Sequence, residues 1–147
     1  MFEPTVIPAL GEPHPRRKYF TVDEANRALP FISRVVLDIA EVYSQILELR
    51  HELENLDDGD LRNLTEREYE ATMDRLGAFV DELHLAGVEL RDFERGRVDF
   101  PAIYSQREVM LTWATGDPAV THWHPAEGDD YEPRPVESLL AADADAA

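Results

Sequence analysis

The chain has no cysteine in its 147 residues. That removes disulfide frameworks, thiolate zinc sites and thiol nucleophiles, and it leaves the redox compartment open. Long apolar runs are also missing, since no stretch approaches the ~20 residues that a membrane-spanning helix needs. The opening residues, MFEPTVIPALGEPHPRRKYF, place prolines where a secretory signal would carry its apolar segment, so a cytoplasmic location is expected. Basic residues are scarce: 14 Lys and Arg face 31 Asp and Glu, for a net charge of −17. Residues 125–147 hold seven of those acids and one arginine, so the rest of the chain still carries −11. A surface of that sign repels phosphates. It argues against duplex nucleic acid and membrane surfaces as partners, and for a protein with a basic surface or for cations. The chain also lacks a GxSxG, a Walker glycine loop, an HExxH helix and a dinucleotide fingerprint. No spacing sets a nucleophile beside a base, so a non-enzyme is favoured.

What is present has the length of one domain with loose ends. Pro4, Pro8, Pro13 and Pro15 mark residues 1–18 as a disordered arm, with Arg16, Arg17 and Lys18 as its one basic cluster. Thr21-Val22-Asp23-Glu24 fits a capping box, which starts a helix. From there apolar side chains recur at 22, 25, 29, 32, 36, 39, 43, 46 and 53, interrupted only by Arg50, in the heptad seam of a coiled coil. A second row, Val35, Val42, Leu49 and Leu56, widens this face and suits a homodimer. Pro30 predicts a kink or break near 29–30. Asp57-Asp58-Gly59-Asp60 turns the chain. A second capping-box pattern at Thr65–Glu68 opens another helix, which ends at Gly87. The expected fold is therefore α+β: an antiparallel helical hairpin over 21–87, then a β-meander of three to four strands over 88–124. Together these make a single domain, 19–124, followed by an acidic, mostly disordered tail over 125–147.

In the meander, alternation predicts a strand at Val88–Arg91, a turn at Glu94–Arg97 and a short strand, Val98–Phe100, stopped by Pro101. Residues 102–106 read as irregular. REVMLTWATGDPAVTHWH, Arg107 to His124, reads as a β-hairpin around Thr115-Gly116-Asp117-Pro118. It is the densest run of unusual residues, with Trp113, Trp123, His122 and His124.

FTVDEANRALP, GVELRD, GRVDFPA and REVMLTWATGDPAVTHWH together resemble an uncharacterised prokaryotic family, domain of unknown function 2203, over about residues 19–135. The resemblance implies a small bacterial protein and supports the boundaries; it assigns no activity. In that family a glycine often precedes the arginine matching Arg107, and a cysteine often precedes the tryptophan matching Trp113. Here those positions hold Gln106 and Thr112.

Two constellations carry candidate chemistry. His122 and His124, two apart on a strand, put their imidazoles on one face about 6.5–7 Å apart, close enough to converge on a divalent transition metal such as zinc, iron or manganese. The third ligand must be an oxygen, and Asp99 and Asp92 are the candidates, falling opposite each other in a tight hairpin centred on Arg95-Gly96. With Gly116-Asp117 at the turn centre, Leu111 faces His122 and Val109 faces His124. The histidines then share a face with Trp113, or else Trp123 anchors the sheet and they lie outside it. The plainer alternative is that both histidines simply hold a turn. The second constellation is the acidic tip Asp57, Asp58 and Asp60, a candidate contact for a basic partner surface, with Trp113 and Trp123 as further candidate contact residues.

Overall fold

The structure, a computed structural model, describes residues 17–127 and 132–146, the last five of these by backbone alone. Most of the expected arm, including Arg16, lies outside the described residues, as do 128–131. Helix α1 (Val22–Glu54) opens on the capping box: the Glu24 amide donates to the Thr21 hydroxyl at 3.1 Å, and the Thr21 amide donates to Glu24 Oε1 at 3.0 Å. The helix continues through Pro30 without a break. Proline forfeits one bond there, to the Asn26 carbonyl. Leu29 and Ile32 on either side are buried in the core and hold the turn in place, each contributing roughly 1.5–3 kcal/mol.

Both apolar rows of α1 are used within the chain. Ala25, Leu29, Ile32, Val36, Ile39 and Ile46 are buried, and so are Val35, Val42 and Leu49 of the second row. Little of the second row is therefore left as a surface for another copy. Helix α2 (Asp60–Leu85) begins before the expected Thr65, because nothing between Gly59 and Thr65 breaks a helix. Thr65 and Thr72 sit inside it, buried, and turn their hydroxyls back to the carbonyls of Leu61 (2.9 Å) and Glu68 (2.7 Å). At the far end Gly87, at φ 85°, donates to the His84 carbonyl, and the Val88 amide donates to that of Leu83, both at 3.0 Å. This is a Schellman closure.

Five antiparallel strands follow in spatial order β1 to β5: β1 (Glu89–Asp92), β2 (Arg97–Tyr104), β3 (Arg107–Ala114), β4 (His122–Pro125) and β5 (Arg134–Pro135). β2 runs straight past Pro101. The Pro101 carbonyl accepts the Phe20 amide at 2.7 Å, and in an antiparallel strand a residue's N and O face the same neighbour. The missing N–H therefore points away from β3 and costs the β2–β3 ladder nothing. Ser105 and Gln106, at φ 53° and 62°, form the two-residue turn between β2 and β3.

The inner face of the sheet, Val98, Phe100, Ala102, Val109, Leu111 and Trp113, packs against α1 up to Ile39 and against Leu83 of α2. Phe20 meets Phe100 edge-on at 5.2 Å. Further along α1, Phe93 in the β1–β2 turn stacks on Tyr43 at 5.3 Å. Val42, Ile46 and Leu49 are buried but lie outside the cluster that contains the sheet. The hairpin thus extends past Tyr43 as an arm roughly 16–18 Å long at 1.5 Å per residue. The expected tail needs correction over its described part. Arg134–Pro135 pairs with β4, and helix α3 (Val136–Ala146) inserts Val136 and Leu139 into the same core. Burial of those two apolar residues drives the ordering.

Candidate functional site

The register of β3 and β4 decides where the histidines point. Thr112 pairs with His122, Leu111 with Trp123 and Met110 with His124, one residue off the expected alignment. A slip of one flips every side chain to the other face. The slip arises because the connection is not a tight two-residue turn. Trp113 Nε1 donates to the Asp117 carbonyl at 2.9 Å, the Ala114 amide donates to Asp117 Oδ2 at 3.1 Å, and Val120 is drawn into the core while its amide donates to Asn26 Oδ1 at 2.7 Å. His122 and His124 therefore lie on the outer face, away from the helices. Trp123 lies on the inner face, donating from Nε1 to the Pro135 carbonyl and the Ser138 hydroxyl, both at 3.2 Å. Trp113 is 4% exposed, a core residue rather than a contact residue.

The expected facing of Asp92 and Asp99 is also corrected. Asp99 pairs with Glu89, and Asp92 with Arg97 across an irregularity in β1. Asp92 instead closes the β1–β2 turn, accepting the Glu94 and Arg95 amides at 2.9 Å each. The Arg95 amide above all holds its carboxyl below the usual range. That turn needs Gly96, at φ 72°, where a Cβ would collide with Val36 and Thr115.

Asp99, fully buried, is the centre of the outer face. Its Oδ2 accepts from His124 Nε2 and Arg91 Nε, both at 2.9 Å, and its Oδ1 lies 3.6 Å from Arg97 Nη1. Burial pushes the Asp99 carboxyl up. The hydrogen bond and attraction of His124, the hydrogen bond from Arg91 and the charge of Arg97 outweigh it and hold the group below its ordinary range. The chain of charges continues from Arg91 to Glu89 at 3.1 Å, from Glu89 to Arg17 at 2.7 Å and from Arg17 to the buried Glu108 at 2.8 Å. Tyr19 also donates to Glu108 at 2.6 Å. The N-terminal entry and strands β1 to β4 are joined in one network.

Of the four expected metal ligands, Asp99 and His124 are brought together. His122 is exposed, with Nδ1 2.9 Å from the Thr121 hydroxyl, and Asp92 is occupied in its turn. Among the described residues no group of three or more His, Cys, Asp or Glu converges closely enough to hold a metal ion. His124 Nδ1 lies 3.0 Å from the Pro125 carbonyl, so both ring nitrogens face acceptors. A ring engaged on both sides is poorly placed to take a proton from a substrate. Sequence reasoning missed the arginines of this network. The signal was present as alternation: Glu89, Arg91, Arg97 and Asp99 project to one side, with the like-charged pair Glu89 and Asp99 flanked by arginines.

The hairpin tip is built differently. Asp57, Asp58 and Asp60 are exposed there, and beside them Leu61 and Leu64 are 63% and 61% exposed. Arg62 turns inward, donating from Nη1 to the carbonyls of Leu53 and Leu56 at 2.8 Å each and from Nε to Glu66 at 3.1 Å. It caps the end of α1 and holds the turn together. A shallow groove lies alongside, lined by His51, Glu52, Asn55, Leu56, Leu61 and Thr65.

The model of a family described as "Uncharacterized conserved protein (DUF2203)" matches residues 18–134. The chain belongs to that family. The DUF2203 match covers the hairpin, the charge network apart from Arg17, and β1 to β4, and it stops before α3. No curated protein and no solved structure matches the chain. No helix of this DUF2203 chain, among its described residues, is long and apolar enough to cross a membrane.

Proposed function

We propose that this DUF2203 chain is a non-enzymatic protein-interaction module that binds through the far end of its helical hairpin, and that its partner presents a basic surface. One observation carries the reading: on α2, Leu61 and Leu64 stand more than three-fifths exposed at the tip while threonines fill the buried seam at 65 and 72. Over this distal half of α2 the distribution inverts the usual one for a helix whose only task is to pack, whereas nearer the sheet Leu76, Phe79, Val80 and Leu83 face the core. Large apolar groups displayed beside acids on a projecting arm mark a contact surface. The test is site-specific photo-crosslinking in the native cell. A crosslinker in place of Leu61 or Leu64 is expected to trap a discrete product that the same group at Glu41, an exposed position of α1, does not. Asp57→Ala/Asp58→Ala/Asp60→Ala is expected to weaken that product. Identical product sets from all positions would sink the proposal.

A second reading, a divalent transition-metal site on the outer face, draws on the 2.9 Å approach of Asp99 to His124. Its test is metal analysis of chelator-treated protein reloaded with zinc, iron or manganese. Stoichiometric retention that is lost in His124→Ala supports it, and no retention ends it.

A further inference from the structure

Resting on the tip as the docking site, we infer the class of its partner: an amphipathic helix whose apolar side chains are bordered by lysine or arginine. Three features of the tip lead there. Leu61 and Leu64 are three residues apart and so stand one helical turn apart, the spacing that apolar anchors on a facing helix repeat. The groove, lined in part by Leu56 and Leu61, lies at the end of the arm, and the nearest secondary structure on both sides is helical, so no free strand edge is available there for an extended peptide. Its rim is acidic. Glu52, Glu54, Asp57, Asp58 and Asp60 are exposed there, and the nearest cation, Arg62, is turned to the Leu53 and Leu56 carbonyls and to Glu66, reaching Asp58 only at 3.9 Å.

Five carboxylates against the single guanidinium of Arg62 give the patch its sign. A partner meets leucines beside a net-negative run of carboxylates, and its complement is an apolar stripe edged with basic groups. A second copy docked tip to tip would place Asp57, Asp58 and Asp60 against their own images, so a symmetric dimer is disfavoured at this surface.

The test uses the full chain and two labelled peptides of about 18 residues, made only of leucine and lysine in the same proportions. One places leucines at i, i+3, i+4 and i+7 on one face, and the other scatters them around the helix. Fluorescence anisotropy at about 0.15 M salt is expected to show the one-faced peptide binding about tenfold tighter than the scattered one. Leu61→Ser/Leu64→Ser should remove that tenfold preference, and Asp57→Asn/Asp58→Asn/Asp60→Asn should weaken both peptides and flatten their salt dependence. Equal binding of the two peptides means bulk charge attraction alone and overturns the inference, as does an unchanged preference in the leucine variant. If crosslinking from positions 61 and 64 succeeds while the peptides bind alike, the docking site stands and only its partner class is wrong. If both fail, the docking site falls as well.

Discussion

The outer face of the sheet and the tip of the hairpin are both rich in charge, but they differ in what the charges touch. On the sheet, Asp99 and Glu108 are buried, and each is met by a cation from another segment, Arg91 for the one and Arg17 for the other, with the His124 ring also on Asp99. At the tip, Asp57, Asp58 and Asp60 face solvent, and Arg62 beside them is turned to backbone carbonyls and Glu66, with only a loose 3.9 Å approach to Asp58. A buried charge must be answered from within the chain, because the cost of leaving it unpaired is several kcal/mol. An exposed charge carries no such demand. The sheet network therefore reads as architecture that fixes the N-terminal entry and four strands, whereas the acids and leucines of the tip, Arg62 apart, are displayed at the surface.

The largest effect expected from breaking this contrast is at Asp99. Asp99→Ala removes the buried carboxylate that Arg91, Arg97 and His124 share, and it should cost about 3 kcal/mol, the low end for breaking a buried ion pair because Arg91 keeps Glu89 and can turn to water. Urea unfolding measures it. Combining it with His124→Ala should cost clearly less than the two single changes together, since both remove the same contact. Strict additivity would show that the pair contributes nothing jointly. The network also sets a pH dependence. Because the folded Asp99 carboxyl is held below its ordinary 3.8, its contribution is complete above that value and is lost as the pH falls through the lower folded value. The stability gap between wild type and Asp99→Asn should narrow below about pH 4, and a gap that stays constant down to acid unfolding would contradict the assignment.

Periodicity made the hairpin legible from sequence: the capping box at Thr21, the apolar rows of α1, the acidic turn and the glycine stop at Gly87 all stand where residue type alone put them. The pairing register was not legible, because it depends on the 115–121 connection, where Trp113, Asp117 and Asn26 make contacts that no local pattern encodes. The sequence reading therefore brought Asp99 and His124 together for the wrong reason and added Asp92 and His122, which lie elsewhere. α3 was hidden by its acidic composition, because two buried side chains, Val136 and Leu139, are enough to dock it. The β2–β3 turn was missed because Ser105 and Gln106 adopt positive φ without being glycine or asparagine.

That turn yields a smaller prediction. Left-handed backbone costs a side-chain-bearing residue roughly 1–2 kcal/mol, while glycine adds about 0.5–1 kcal/mol of chain entropy to the unfolded state. Gln106→Gly should therefore stabilise the protein by about 0.5 kcal/mol, read as a rise in the thermal midpoint. Destabilisation would mean that the Gln106 side chain contributes contacts worth more than the strain.

The smallest expected stability effect is at the tip, and there its smallness is the point. Leu61 and Leu64 bury little, so Leu61→Ser/Leu64→Ser should shift unfolding by less than about 0.5 kcal/mol and leave the helical circular dichroism unchanged, even though two large apolar side chains are lost from one helix. The same pair of changes at buried apolar positions would cost several kcal/mol. A large loss of stability at the tip would show that these leucines pack within the chain, and the contrast with the sheet would collapse into two kinds of architecture. A negligible loss, together with loss of the crosslinked product, would separate what holds the molecule together from what it offers to another.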